Sequence, residues 1–398
     1  MDKLIDIVVG ARPNFIKVAA IIRELRTKFP EPGNGIRYRL IHTSQHYDNK
    51  MSGVFFEELD IPQPDINLNV GHLKSTEQIA TIISRYSRVL IESKPDMVIV
   101  LGDVNSTVAC ALATKKTYPD LPLIHVEAGL RCGDRQMPEE INRILTDSIS
   151  DYFFTTSRRA SDNLMNEGVS PGKIFFVGNT MIDTLYTNES RLKQPTFWNT
   201  LGLANKGYYV LTLHRQANIS SGEILGTLLE SVAMAAEGTT VVFPVHPHTE
   251  KMIHNFGIEV HPNIVMTDPM GYLEFNYLMK NALAVVTDSG GISEETTIMK
   301  VPCITLRDHT ERPETCQLGT NLLVGSCNPG NIFDAFDCLR AGKWRMGKDP
   351  ELWDGKAAER IVDFVAGILR SGKEDKHTIY TLRPKAFGDI SYNTIFLN

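Results

Sequence analysis

Between His125 and Arg143 the chain reads HVEAGLRCGDRQMPEEINR, which gathers Glu127, Arg131, Asp134, Arg135, Glu139, Glu140 and Arg143 into one short segment. Carboxylates beside arginines suit proton transfer on an anionic substrate, with Glu127 and Glu139 as acid/base groups and Arg131 and Arg143 holding negative charge. Part of the segment has a blander reading. Glu139 and Glu140 follow Pro138, a residue favoured at the first helical position, and first-turn carboxylates complement the helix dipole by about 0.3–1 kcal/mol each. Glu140 fits that reading. Glu127 fits it less well, because it directly follows the apolar run PLIHV, and a carboxylate buried there needs a partner or a task.

Other polar motifs also stand where an apolar run gives way to a helical pattern. GARPNFIK, residues 10–17, offers backbone amides at a helix start, which suits an anion, and Arg12 and Lys17 add formal charge. It lacks the GxGxxG fingerprint, so no dinucleotide cofactor is expected there. HTSQHYD places Gln45 and His46 after a strand. LGDVNSTVA places Asp103 just past a buried strand, either as a reactive carboxylate or as the cap of the following helix. VLTLHRQAN sets His214 beside Arg215. FPVHPHT carries His246 and His248; two apart on an extended segment they point to opposite faces, so no zinc or other metal site is expected. In TDSGGISEE, Ser289, Gly290 and Gly291 make a phosphate cradle, and Glu295, one turn on, can accept from ribose hydroxyls. RDHTERPE adds further charge, Arg312 included, after the next strand.

The elements that must position these groups alternate along the chain. LIDIVV, YRLIHTS, DMVIVLGD, LPLIHVE, DYFFTTS and KIFFVG read as strands, separated by helical patterns such as FIKVAAIIRELRTKF. Such alternation implies right-handed βαβ units and a parallel sheet. The rhythm weakens from about residue 179 to 206, the expected domain boundary and hinge, and restarts at YYVLTLH. The domains expected are 1–180, joined by the C-terminal helix and tail at about 373–398, and 181–372. At 398 residues, two domains are the natural division.

The formal net charge of −6, with no basic block, argues against nucleic acid as a partner. The six cysteines, Cys110, Cys132, Cys303, Cys316, Cys327 and Cys338, form no CxxC pair and read as reduced thiols of a cytoplasmic protein. The opening MDKLIDIVVGARP reads as a first strand rather than a signal peptide, and no apolar stretch of about 20 residues offers a membrane span.

GARPNFIK, SQHYD, GDVNST, HVEAGLR, MPEEINR, VGNTMIDTL, LHRQAN, DSGGISEE and RDHTERPE occur in this order. Together they resemble the non-hydrolysing UDP-N-acetylglucosamine 2-epimerases over about residues 5–325. The resemblance implies an α/β fold of two Rossmann-like domains facing across a cleft (the GT-B architecture). It implies interconversion of UDP-GlcNAc and UDP-ManNAc without NAD or metal, by a homodimer. Matched by motif, Asp103, Glu127 and Glu139 would do the chemistry, with His214 by the diphosphate. Arg12, Lys17 and Arg312 would line the cleft, with Ser289, Gly290 and Gly291 on the phosphates and Glu295 on the ribose. Arg131, Arg143 and His246 are further substrate-binding candidates. Gln45 and His46 match a segment that forms a second, regulatory UDP-GlcNAc site in some members. Ser44 and Ala217 depart from the family's usual Gly and Glu. A related branch acts on UDP-2,3-diacetamido-2,3-dideoxy-glucuronic acid and shares Asp134, Arg135 and Met137, so that sugar stays open. A GT-B glycosyltransferase or a non-catalytic nucleotide-sugar sensor would share the fold.

Overall fold

The computed structural model describes residues 2–371 except 31, 32, 34, 46–48, 72 and 327, and of residues 49–52 and 371 the backbone alone. The first sheet holds β1 (Lys3–Val9), β2 (Ile36–His42), β3 (Ile66–Asn67), β4 (Met97–Leu101), β5 (Leu123–Val126), β6 (Tyr152–Thr155) and β7 (Ile174–Phe176). The second holds β8 (Tyr209–Thr212), β9 (Val241–Pro244), β10 (Ile264–Thr267), β11 (Ala284–Thr287), β12 (Cys303–Thr305) and β13 (Asn321–Leu323). The orders are β3-β2-β1-β4-β5-β6-β7 and β10-β9-β8-β11-β12-β13, and neighbouring strands run parallel.

Helices cover both faces of each sheet, which is why these strands are apolar at nearly every position rather than at alternate ones. All five residues of β4 are buried. Ile5, Ile7 and Ile99 face one layer of the first core, with Phe15, Val18 and Ile22 of the helix Arg12–Lys28. Val8, Val98 and Val100 face the other, with Ile82 and Tyr86 of the helix Ser75–Glu92. The second sheet repeats the arrangement. Leu211, Val286 and Ile304 pack on Leu225, Leu228 and Val232 of the helix Gly222–Ala235. Val210, Val242 and Val285 pack on Leu278 and Met279 of the helix Tyr272–Lys280 and on Trp198.

Each strand order reverses once, between β1 and β4 and between β8 and β11. A crevice opens outside the carboxyl ends of the strands at such a reversal, and it is the usual ligand site of open α/β sheets. The loops leaving β1, β4, β8 and β11 begin at Gly10, Gly102, Leu213 and Asp288. Four of the polar motifs therefore sit at the two switch points.

The weak stretch after residue 179 contains a regular helix, Thr180–Asn188, followed by a 3₁₀ turn, Glu189–Arg191. The C-terminal assignment needs correction. Boundaries read from the sequence put residues up to 372 with the second domain. The helix Ala357–Ser371 instead buries Ile361, Val362, Phe364 and Val365 in the first domain's core, beside Phe154 and Phe175. Its apolar stripe matched either sheet; the anchor that decides is long-range. The carboxylate of Asp183 accepts hydrogen bonds from the amides of Ala357 (3.1 Å) and Ala358 (2.6 Å), capping the helix from 174 residues away. The expected tail at 373–398 lies outside the described residues.

Asp183→Ala removes this cap. It should lower stability by about 1–2 kcal/mol, read as an earlier denaturant midpoint with an unchanged m value.

Candidate active site

Glu127 is the residue on which the two sheets converge. It leaves β5 in the left-handed region, with φ at 71°, held there because its amide and that of Ala128 both donate to the Phe154 carbonyl at 2.9 and 3.1 Å. The side chain is only 4 % exposed. One carboxylate oxygen meets the Lys17 ammonium from the helix Arg12–Lys28. The other accepts from Arg312 Nη2 at 2.7 Å, a residue of the second domain. Burial pushes its pKa up, but the Lys17 and Arg312 charges outweigh that and hold the carboxyl below its usual range. The loop above β4 must be thin here. A Cβ on Gly102, at φ 65°, would lie 3.0 Å from Lys17 Nζ and 3.2 Å from Glu127 Oε2.

Arg312 extends the network into the second domain. Its Nε lies 2.7 Å from Glu294 Oε1, and Nη1 meets Glu311. Glu311 in turn pairs with Arg307 at 2.7 Å, and Asn179 Nδ2 donates to Glu294 at 2.8 Å. Gly290 is where this network crosses the helix Gly290–Met299. A Cβ there would sit 2.6 Å from Glu311 Oε1 and 3.0 Å from Arg312 Nη1, and one on Gly291 would sit 3.1 Å from Met181 Cε. Packing thus bears on Gly290, where ion-paired atoms stand, more than on Gly291, where a flexible methionine end can yield. Glu295 is buried beside Tyr272 and Asn276 of the helix Tyr272–Lys280, and burial pushes its carboxyl up to about 7.

The HVEAGLR…EEINR segment divides into parts that meet the cleft and parts that do not. Asp103, 24 % exposed, pairs with Arg143 Nη1 at 2.6 Å. Arg143 also donates Nε to Glu140 at 3.0 Å. Its donors therefore hold Asp103 and Glu140, a different role from the substrate contact read from sequence. Glu140 is buried and accepts from the amides of Cys132 (3.1 Å) and Gly133 (2.9 Å). It ties the loop to the helix rather than merely complementing a dipole. Glu139 is exposed, and its charge acts on Arg215. Met137, two residues before it, touches Arg215, with Sδ 3.7 Å from Nη1. Arg131 is not brought to Glu127. It pairs with Asp147 (2.7 Å) and Glu167 (2.6 Å).

His214 pairs through Nδ1 with Asp288 at 2.8 Å and is half exposed. Asp288 is buried and also accepts from the amides of His214 (3.0 Å) and Arg215 (2.9 Å) and from Asn218 Nδ2 (3.2 Å). Although burial raises its pKa, the His214 contact and these amides hold it at about 2. Sequence reasoning passed over Asp288, Glu294, Glu311, Arg307 and Arg215 as site residues. The signal for Asp288 was its place directly before the Ser-Gly-Gly turn. Arg215 Nε and Arg307 Nη1 are buried without hydrogen-bond partners among the described residues. Both present cationic donor capacity that an anionic ligand would use.

The remaining candidates stand at helix starts. Arg12 opens the helix Arg12–Lys28. His246 caps the helix Pro247–Asn255, its Nδ1 accepting from the His248 amide at 3.2 Å. Gln45 Oε1 accepts from the amide (3.0 Å) and hydroxyl (2.6 Å) of Ser106 at the start of the helix Asn105–Thr117. His46 lies outside the described residues. Among those residues no three His, Cys, Asp or Glu side chains are grouped to hold a metal, and no helix is long and apolar enough to cross a membrane.

The family model for UDP-N-acetylglucosamine 2-epimerases matches residues 31–366. A UDP-N-acetylglucosamine 2-epimerase of Methanocaldococcus jannaschii is 42 % identical over 379 residues, covering 93 % of this chain and 99 % of that protein. A UDP-2,3-diacetamido-2,3-dideoxy-D-glucuronate 2-epimerase of Pseudomonas aeruginosa is 36 % identical over 366 residues, 91 % of this chain and 99 % of that one. The crystal structure of the M. jannaschii UDP-GlcNAc 2-epimerase in complex with UDP-GlcNAc and UDP superposes with a TM-score of 0.83 at 40 % identity, covering 91 % and 99 % of the two chains. The chain belongs to the UDP-N-acetylglucosamine 2-epimerase family.

Replacing Arg312 with Leu leaves Glu127, Glu294 and Glu311 buried with their shared cation gone. We expect a loss of about 3–5 kcal/mol in urea denaturation. Glu295→Gln should alter the pH dependence of stability. The folded carboxyl titrates at about 7 against 4.5 when free. The stability tied to its proton is therefore complete below 4.5 and is lost as pH rises to about 7. The amide variant, with no such proton, should gain roughly 2–3 kcal/mol relative to the parent between about pH 5 and 8. Parallel stability curves for the two proteins would contradict this.

Proposed function

We propose that this member of the family interconverts UDP-GlcNAc and UDP-ManNAc by elimination and re-addition of UDP. The observation that carries the reading is the ionised, buried Glu127 between Lys17 and Arg312, with the partly exposed Asp103 on the loop after β4 at the switch point of the first sheet. The proton on carbon 2 of the sugar is not next to a carbonyl, so a lone base is too weak to remove it at neutral pH. Breaking the bond from carbon 1 to UDP in the same event removes that difficulty. A carboxylate takes the carbon 2 proton, the electron pair forms the carbon 1–carbon 2 double bond, and the anomeric C–O pair leaves with UDP. The products are 2-acetamidoglucal and UDP. Delivery of a proton to the opposite face of carbon 2, with a β-phosphate oxygen returning to carbon 1, gives the epimer.

This scheme needs acid/base groups on two faces and cations on the leaving diphosphate. We assign the acid/base work to two of Asp103, Glu127 and Glu139. We assign the diphosphate to His214 with the unpartnered donors of Arg215 and Arg307. Arg12 and Lys17 line the sugar side, and Ser289, Gly290, Gly291 and Glu295 remain the nucleotide contacts of the reading. The sheets place these loops face to face, and a closed cleft would keep water from the glucal intermediate. We further propose that the protein works as a homodimer in the cytoplasm. Ile141 and Leu145, exposed one turn apart on the helix Pro138–Ile149, support a partner on that face.

Asp103→Asn, Glu127→Gln and Glu139→Gln, made singly, should lower kcat by about 10²–10⁴ where the carboxylate moves the proton. UDP affinity by calorimetry should stay within a few-fold, as expected when an interaction specific to the transition state is removed. A fully active amide variant removes that residue from the pair. Arg307→Ala should instead weaken UDP binding by about tenfold or more, the loss of one charge-assisted contact.

A further inference from the structure

His125 is fully buried in β5, two residues before Glu127. Its ring lies between two acceptors. Nδ1 is 2.6 Å from a carboxylate oxygen of Asp147, and Nε2 is 2.8 Å from the Gly102 carbonyl. Neither acceptor offers a proton of its own: the Gly102 carbonyl has none, and the second oxygen of Asp147 faces the Arg131 guanidinium at 2.7 Å and accepts from the Gly129 amide at 3.1 Å, contacts that favour the ionised carboxylate. A neutral imidazole has one N–H, so in either tautomer one of these contacts would set two lone pairs face to face. The ring satisfies both only with a proton on each nitrogen.

The two acceptors belong to the loops that carry the proposed chemistry. Gly102 immediately precedes Asp103, and its amide donates to the Val126 carbonyl at 3.0 Å. The second oxygen of Asp147 accepts from the Gly129 amide at 3.1 Å, within the turn that follows Glu127, and meets Arg131 at 2.7 Å. Arg131, expected from sequence on the substrate, belongs to this brace. The charged groups facing the ring directly are thus Asp147 and, behind it, Arg131 with Glu167.

We propose that His125 is a positioning residue for the epimerisation, a doubly protonated imidazole that fixes the loops of Asp103 and Glu127 relative to each other without touching substrate. This rests on the epimerase reading above. A neutral ring would release one of the two loops, and a shift of about 1 Å in a reacting group costs on the order of 10²-fold in rate.

Two measurements test the proposal. Neutron diffraction from the perdeuterated protein near neutral pH should show deuterium on both ring nitrogens of His125; a single deuteron overturns the protonation claim. Asp147→Ala, which removes the acceptor at Nδ1 altogether, and His125→Asn should each lower kcat by ~10²-fold while KM stays within about threefold. Calorimetric UDP binding should be unchanged. If His125→Asn does not fold, Asp147→Ala carries the same expectation. A folded variant with parental kcat, or one losing UDP affinity in step with kcat, overturns the positioning role. A parent protein that does not epimerise UDP-GlcNAc fails the functional reading instead, and the neutron result stands apart from it.

Discussion

A carboxylate taken out of water must be compensated where it stands, and Glu127 is compensated by two cations that come from different domains. Lys17 arrives on the helix after β1, and Arg312 on the loop after β12. The Arg312 contact forms only if both sheets end at the same place and face each other. Much of the surrounding sequence follows from that requirement. Gly102 and Gly290 are glycine because a Cβ at either would press on the ion network. Glu294 and Glu311 complete the coordination of Arg312, so that its guanidinium is not left with a single partner in the interior. The left-handed backbone of Glu127, costly for a side chain of that size, persists because Phe154 fixes the two amides that follow β5.

The links between the two halves extend beyond this centre. Glu58 of the first domain accepts from the Leu273 amide at 3.2 Å, at the start of the helix Tyr272–Lys280. A carboxylate there also complements the positive end of the helix dipole. The helix Thr180–Asn188 touches both bodies. Thr184 donates to the Ile16 carbonyl at 2.7 Å, and Asn179 reaches Glu294. Asp183 of the same helix holds the final helix onto the first domain. A reaction intermediate that must not meet water is served by such an arrangement, because each half contributes groups that are incomplete without the other.

Local sequence carried the fold well and the site unevenly. The strand–helix alternation and the apolar strands are local properties, and they located both sheets and the loops at their carboxyl ends. Glu127 was legible because a carboxylate directly after an apolar strand has no bland explanation. Arg131 and Glu140 illustrate the limit. Both stand in the charged segment, yet one braces Asp147 and the other holds the amides of Cys132 and Gly133, partners that spacing does not reveal. Asp288 hid for the same reason: its partners His214, Arg215 and Asn218 lie more than 60 residues away, in the loop of another strand. The return of the C-terminal helix to the first domain is expected from about residue 373, whereas the helix Ala357–Ser371 already packs there, because an amphipathic stripe does not show where the chain crosses over and its cap at Asp183 does.

The proposed reaction deprotonates and reprotonates carbon 2 of the sugar while UDP departs and returns. Proton NMR of the purified protein with UDP-GlcNAc in D₂O, without acceptor or added metal, tests this directly. UDP-ManNAc carrying deuterium at carbon 2 is expected, with deuterium entering carbon 2 of the remaining UDP-GlcNAc as the reaction reverses. Epimer formed with its original proton retained, or no epimer at all, would contradict it.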